Sequence, residues 1–189
     1  LLKENNEILN SLKNTYTDSY KKKLITKFKN VPVVRLIGMG GSILGSRSIY
    51  NFLKDKISKN FYFIDTFQYE NSEHKKRKLN LIISKSGNTL ETISNTNFII
   101  NKNDKNIFIT EHNDSYLMKL ATQLRAEIVH HNNFIGGRYS VLSEVGMLPA
   151  ELMGLNSNNF KQFNYLVKNK KFLNALLSNV ASTLYFIKN

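Results

Sequence analysis

The segment Val33-Val34-Arg35-Leu36-Ile37-Gly38-Met39-Gly40-Gly41-Ser42-Ile43-Leu44-Gly45 decides the reading of the fold. The largely apolar run Val33–Ile37 passes directly into a glycine-rich turn, and helix-like spacing then lasts to about Leu53. Strand, tight turn and helix in that order open a βαβ unit. The same order recurs downstream. Apolar runs return at Phe61–Ile64, Leu79–Ile83, Ile107–Ile109 and Glu127–Val129, with helix-like stretches such as Thr89–Ile100 and Tyr116–Arg125 between most of them. Short apolar strands alternating with helices predict an α/β fold of three layers, a five-stranded parallel sheet flanked by helices. Residues 1–30 read as a helix or two. After Ser140 the pattern is helical to the end, with a break near Gly154-Leu155-Asn156. The expected organisation is a helical segment at 1–30, a ligand-binding domain at 31–155 and a second helical segment at 156–189.

The 189 residues suffice for one domain with a core, since a chain of this size buries about 70% of its unfolded surface. Hydrophobic residues make up 41% and charged residues 22%, which excludes wholesale disorder. No apolar run is long enough to span a bilayer as a helix, so no membrane partner is expected. The first residues lack a basic-then-apolar leader. With no cysteine, disulfides, thiol catalysis and Cys-based metal centres are excluded; the expected address is cytoplasmic. Twenty-seven Lys and Arg against 14 Asp and Glu give a net charge of +13, which favours anionic partners without choosing among them. The basic residues are scattered, as in Lys21, Lys22, Lys23 and Lys75, Lys76, Arg77, Lys78, and read as solvated faces. The chain begins with Leu1 and ends at Asn189 inside a helical pattern, so a piece of a longer protein is expected.

Ligands of an open parallel sheet bind outside the carboxyl ends of its strands, so the loops that follow the strands are where chemistry is sought. The first, Gly38 to Gly45, suits close backbone approach to an anion at a helix start. The dinucleotide fingerprint fails at Ile43 and the P-loop fails at Ser46-Arg47. The second is Ser84-Lys85-Ser86-Gly87-Asn88-Thr89, opening a helix at Leu90-Glu91-Thr92. Asn88 and Glu91 have capping-box spacing. Three hydroxyls, Ser84, Ser86 and Thr89, with backbone N–H groups at a helix start, suit a phosphate dianion. Lys85 adds charge to this loop. The third, Gly136-Gly137-Arg138-Tyr139-Ser140, sets one permanent cation beside a sharp turn, where it can meet a sugar oxygen or a developing oxyanion. No metal site is expected: His112, His130, His131 and Glu111 lack ligand spacing, and adjacent strand residues point to opposite faces. Glu91 and Glu151 are better explained as helix residues than as bases.

Together the three loops resemble the glucose-6-phosphate isomerase family, whose sugar-phosphate-binding core is the SIS-type fold. G-x-G-G-S-x-L-G matches Gly38 to Gly45, S-K-S-G-x-T-x-E-T matches Ser84 to Thr92, and G-G-R-[FY]-S with S-x-x-G matches Gly136–Ser140 and Ser143–Gly146. The third motif is the most specific to the isomerase. Met39 and Asn133 depart from common family residues, and neither belongs to the phosphate-loop motif. The resemblance makes 31–155 the SIS-type domain. It implies that Ser84, Ser86 and Thr89, assisted by the Lys85 backbone, hold the substrate phosphate. It further implies that Gly41 and Ser42 line the sugar end and that Arg138 stabilises a cis-enediolate, with no cofactor. Family members are usually homodimers, and they carry a second lobe that supplies a glutamate as proton shuttle, with a histidine and a lysine for ring opening. None of those later motifs occurs before Asn189. The expectation is therefore a chain that binds sugar phosphate weakly and does not isomerise it alone. Two other readings stand beside this one. A phosphosugar-sensing SIS module is allowed by the first two motifs and opposed by the third. A nucleic-acid binder is permitted by the charge, but no recognition helix stands out.

Overall fold

The computed structural model describes residues 6–13, 15–67, 78–101, 104–163 and 168–188. Five parallel strands form one sheet: β1 (Val33–Gly38), β2 (Asn60–Ile64), β3 (Lys78–Ile83), β4 (Lys105–Thr110) and β5 (Glu127–His130), in the order β2-β1-β3-β4-β5. The helices are α1 (Glu7–Ser11), α2 (Lys22–Phe28), α3 (Gly41–Phe52), α4 (Leu90–Ile99), α5 (Tyr116–Gln123), α6 (Glu144–Leu152) and α7 (Lys170–Lys188), with 3-10 turns at Lys54–Lys56, Gly137–Leu142 and Ser157–Phe163. The basic residues Lys75, Lys76 and Arg77 lie outside the described residues.

Both faces of the sheet are covered, which is why its strands read as continuous apolar runs. On one face Val34, Leu36, Leu79, Leu81, Ile83, Ile107 and Ile109 pack with Ile43 of α3, Phe28 of α2 and Val145 and Leu148 of α6. On the other, Ile37, Ile82 and Phe108 pack with Ile93 of α4 and Leu117 and Ala121 of α5. The predicted three-layer α/β arrangement is what the chain adopts. The observed strands extend the apolar runs at their ends to take in Asn60, Lys78, Lys105 and His130.

The second face also carries a buried polar row near the amino ends of the strands. Arg35 pairs in register with Asn80, and Asn80 with Asn106. Arg35 Nε donates to Asn80 Oδ1 at 2.8 Å, and Asn80 Nδ2 donates to Asn106 Oδ1 at 2.7 Å. Arg35 Nη2 and Asn80 Nδ2 both donate to Asp104 Oδ2 at 3.0 Å, so each buried polar group finds a partner.

Inside α6, Pro149 has no N–H to offer the Val145 carbonyl one turn back. Ser46 of α3 supplies the donor instead, its buried Oγ lying 3.3 Å from that oxygen. The last helix, α7, has no buried residue and exposes Leu176, Leu177, Val180 and Leu184. Among the described residues no helix is long and apolar enough to cross a membrane.

Candidate functional site

The strand order reverses direction between β1 and β3, which are neighbours with Gly38 opposite Ile83. A crevice opens at such a switch point, outside the carboxyl ends. The loops after these two strands are the glycine-rich and hydroxyl-rich loops singled out in the sequence.

The hydroxyl-rich loop is held through its carbonyls. Those of Ser84 and Gly87 accept from the backbone of Gly87 and Leu117 at 3.2 and 3.1 Å, and that of Lys85 accepts from Glu111 N at 3.0 Å. The Ser86 carbonyl accepts from Asn113 Nδ2 at 3.2 Å. Gly87 makes this wrap possible: its φ is +68°, and a Cβ there would fall 2.1 Å from Ser115 Oγ. With the carbonyls turned into the protein, the N–H groups of Lys85, Ser86 and Thr89 donate to no backbone acceptor among the described residues. Thr89 is the N-cap of α4, so that helix's first turn adds further N–H groups and the positive end of its dipole. Ser84 is buried with its Oγ 2.9 Å from Thr89 Oγ1, while Ser86 is exposed. The loop thus offers donors of the kind an oxyanion needs.

Two details differ from the sequence reading. The capping box is not formed: Asn88 lies one residue before the N-cap, and its Oδ1 accepts from Tyr116 N at 2.9 Å, tying the loop to α5. The Lys85 ammonium turns to the third loop, donating to the Asn133 carbonyl at 2.7 Å and lying 3.5 Å from Glu111 Oε1. Its charge is therefore engaged within the protein.

The third loop leaves the far strand β5 and comes back across the sheet edge to the first. A Cβ on Gly41 would lie 2.1 Å from the Gly137 carbonyl oxygen and 2.9 Å from Arg138 N, so the two backbones are in contact. Ser42 follows at the start of α3, half-buried. Ser140 Oγ donates to the Gly137 carbonyl and Ser143 Oγ to the Ser140 carbonyl, each at 2.8 Å. These bonds brace the turn from below and leave Arg138 exposed at its tip, with no hydrogen bond or ion pair to its guanidinium among the described residues. Gly41 is thus brought against Gly137 and Arg138, with Ser42 the next residue in the chain, and Lys85 is brought beside Asn133.

Behind this edge lies a buried polar cluster that local sequence patterns do not reveal. Glu144, fully buried, accepts from Asn132 N at 2.7 Å and from the Tyr16 hydroxyl at 3.1 Å. Burial and the Glu144 carboxylate both push the Tyr16 hydroxyl above its ordinary range. His131 is fully buried 3.9 Å from Glu144, and desolvation holds its pKa below the ordinary imidazole value. Lys161 bonds Asp18 at 3.1 Å, while burial raises the Asp18 carboxyl to about 6. The one local sign of Glu144 was its place just after Ser143, inside the S-x-x-G element. Elsewhere, the His112 and His130 rings lie 4.5 Å apart, with His131 turned to Glu144. Among the described residues no three His, Asp or Glu side chains gather as metal ligands. Glu151 accepts from Ser157 Oγ at 2.6 Å, and Glu91 sits in the first turn of α4.

Residues 3–184 match the family model for phosphoglucose isomerase. The glucose-6-phosphate isomerase of Borrelia garinii subsp. bavariensis is 33% identical over 91% of this chain, and that of Methanocaldococcus jannaschii is 34% identical over 89%. The chain spans 38% and 45% of the lengths of these two relatives. Among solved structures, a hypothetical protein from Thermus thermophilus superposes with a TM-score of 0.70 at 19% identity, over 94% of this chain and 49% of that one. The tagatose-6-phosphate ketose/aldose isomerase of Escherichia coli superposes with a TM-score of 0.56 at 15% identity, over 84% of this chain and 47% of its own.

Proposed function

This chain belongs to the phosphoglucose isomerase family, and we propose that it forms the phosphate-gripping, arginine-bearing part of a glucose-6-phosphate isomerase. In this reading the complete protein is a cytoplasmic homodimer that interconverts glucose 6-phosphate and fructose 6-phosphate in glycolysis and gluconeogenesis. The observation that carries the reading is the meeting of three loops at one sheet edge. One offers hydroxyls and N–H groups, one approaches through bare backbone, and one presents a guanidinium that has no partner among the described residues.

The reaction moves one proton between carbons and one between oxygens. A base takes the first from C2 of the open-chain aldose, its electron pair forms a C1–C2 double bond, and the carbonyl pair moves onto O1 as charge. That proton returns to C1 while the O2 hydroxyl proton passes to O1, which leaves the carbonyl at C2. Holding the phosphate fixes the sugar so that this charge develops at a set place. Ser84, Ser86 and Thr89, with the Lys85 N–H, take the phosphate. Gly41 and Ser42 face the sugar, and Arg138 meets the enediolate oxygen as its charge appears. The base comes from a further part of a longer polypeptide, so the 189-residue chain binds sugar phosphate weakly and does not turn it over.

Arg138→Ala in the complete enzyme tests the assignment. The expected result is a fall in kcat of about 100- to 1,000-fold with little change in KM, as for removal of an oxyanion donor. A rise in KM with kcat intact would reduce Arg138 to a binding group. Substantial turnover by the isolated chain in a coupled assay would overturn the division of labour. A second reading is a phosphosugar-binding module of a regulator or of another sugar-phosphate enzyme. It is favoured by the phosphate loop, whose carbonyl anchoring does not depend on Arg138. Unchanged ligand response after Arg138→Ala, with loss after Ser86→Ala, would select it.

A further inference from the structure

We infer that Glu144 is a positioning residue for Arg138, acting as a clasp at the base of the loop that carries it. This rests on the role proposed above for Arg138. The chain leaves β5 at His130, turns at Asn132, passes Gly136 and Gly137 to reach Arg138, and returns through a 3-10 turn to Ser143. Glu144 is the next residue, the first of α6. Its Oε1 accepts from Asn132 N at 2.7 Å, so one carboxylate joins the outgoing and returning limbs. Its Oε2 accepts from the Tyr16 hydroxyl at 3.1 Å, which anchors the clasp to the amino-terminal segment.

The rest of the loop transmits this constraint. Asn132 takes the Phe134 N–H on its side chain at 2.9 Å and the Ile135 N–H on its carbonyl at 3.2 Å, and Ile135 is fully buried. From the other limb, Ser143 holds Ser140 and Ser140 holds Gly137, each at 2.8 Å. The bonds of the outgoing limb end at the buried Ile135, three residues before Arg138, and those of the returning limb end at Gly137, one residue before the exposed guanidinium. A fully buried carboxylate is costly to desolvate, and well-packed apolar side chains are often at least as stabilising. What a carboxylate provides that they do not is a directed bond to one backbone N–H, and hence one loop geometry.

A double-mutant cycle in the complete isomerase tests this. Glu144→Ala should lower kcat roughly 10- to 100-fold, the scale of a misplacement of about 1 Å, with KM little changed. In an Arg138→Ala background the same change should cost less than about twofold, because residues acting through one group are not additive. Glu144→Gln, whose amide oxygen can still accept from Asn132, should recover most of the turnover. Independent, multiplying losses from the two substitutions would overturn the inference. So would a lowered Tm with normal kcat in Glu144→Ala. If that variant does not fold, Tyr16→Phe, which removes one of the two donors to the carboxylate, goes through the same cycle and is judged by the same coupling. A normal kcat in Arg138→Ala alone would instead bring down the role of Arg138, and this inference with it.

Discussion

Gly41 and Gly137 touch backbone to backbone, at a separation that leaves no room for a methyl group: a Cβ on Gly41 would fall 2.1 Å from the Gly137 carbonyl oxygen. The clash is with main chain, which cannot swing aside as a side chain can. Gly41→Ala must therefore part the first and third loops. The expected cost is about 1–3 kcal/mol, as for overpacking elsewhere, together with weaker sugar-phosphate binding. Urea titration and calorimetric binding on the same samples check both. Wild-type stability in Gly41→Ala would mean that the loops part without strain.

Ser84 and Ser86 lie two residues apart in different surroundings. Ser84 is buried and bonded to Thr89 Oγ1, whereas Ser86 is exposed and accepts from Asn88 N at 3.2 Å. Ser84→Ala should lower stability by about 1 kcal/mol as well as weaken sugar-phosphate binding. Ser86→Ala should weaken binding and leave Tm within error. Thermal denaturation with and without glucose 6-phosphate separates them, and equal effects on Tm would contradict the difference in burial.

Ser46 stands in for the donor that Pro149 lacks. In Ser46→Ala the Val145 carbonyl would lose that buried partner, at a cost of about 1–2 kcal/mol. Restoring an N–H by Pro149→Ala in the same chain should recover part of the loss, since the helix could then close its own bond. Denaturant midpoints of the two single variants and the double check this coupling, and strict additivity would refute it.

Asp18 gives the stability a signed pH dependence. Its carboxyl is held at about 6 by burial, against an ordinary value of 3.8. Between these values the native protein keeps a proton that the unfolded chain has released. The contribution of Asp18 is thus fully present below about pH 3.8 and is lost as pH rises to about 6. Wild-type stability minus that of Asp18→Asn should decline across this window and level off above it. Denaturant curves at a series of pH values measure the difference, and a flat difference would show an unshifted carboxyl.

The sheet was legible because strands buried on both faces are written as unbroken apolar runs, and the glycines and hydroxyls after Ile37 and Ile83 mark where the chain turns. The candidate loops were legible for the same reason. Side-chain direction within them was not. Asn88 and Glu91 have the spacing of a helix cap, yet Asn88 serves Tyr116, 28 residues away, once α5 is packed beside the loop. The Lys85 ammonium looks available to a phosphate until the returning third loop sets the Asn133 carbonyl in front of it, leaving the backbone N–H as that residue's contribution. Glu144 and Tyr16 are 128 residues apart, and no periodicity links them; their bond exists only because α6 and the amino-terminal segment share a core face.

The buried row of Arg35, Asn80 and Asn106 bears on the site from the opposite end of the strands. Strands that are apolar on both faces can slide past one another without exposing anything, so hydrophobic patterning alone leaves their alignment weakly fixed. The polar row removes that freedom. A shift of one residue would turn Arg35 away from Asn80, and a shift of two would set it against Ile82 in one direction and Lys78 in the other. The row therefore works as a key that admits one alignment of β1 with β3, the alignment that puts Gly38 level with Ile83 and starts the two ligand-facing loops side by side.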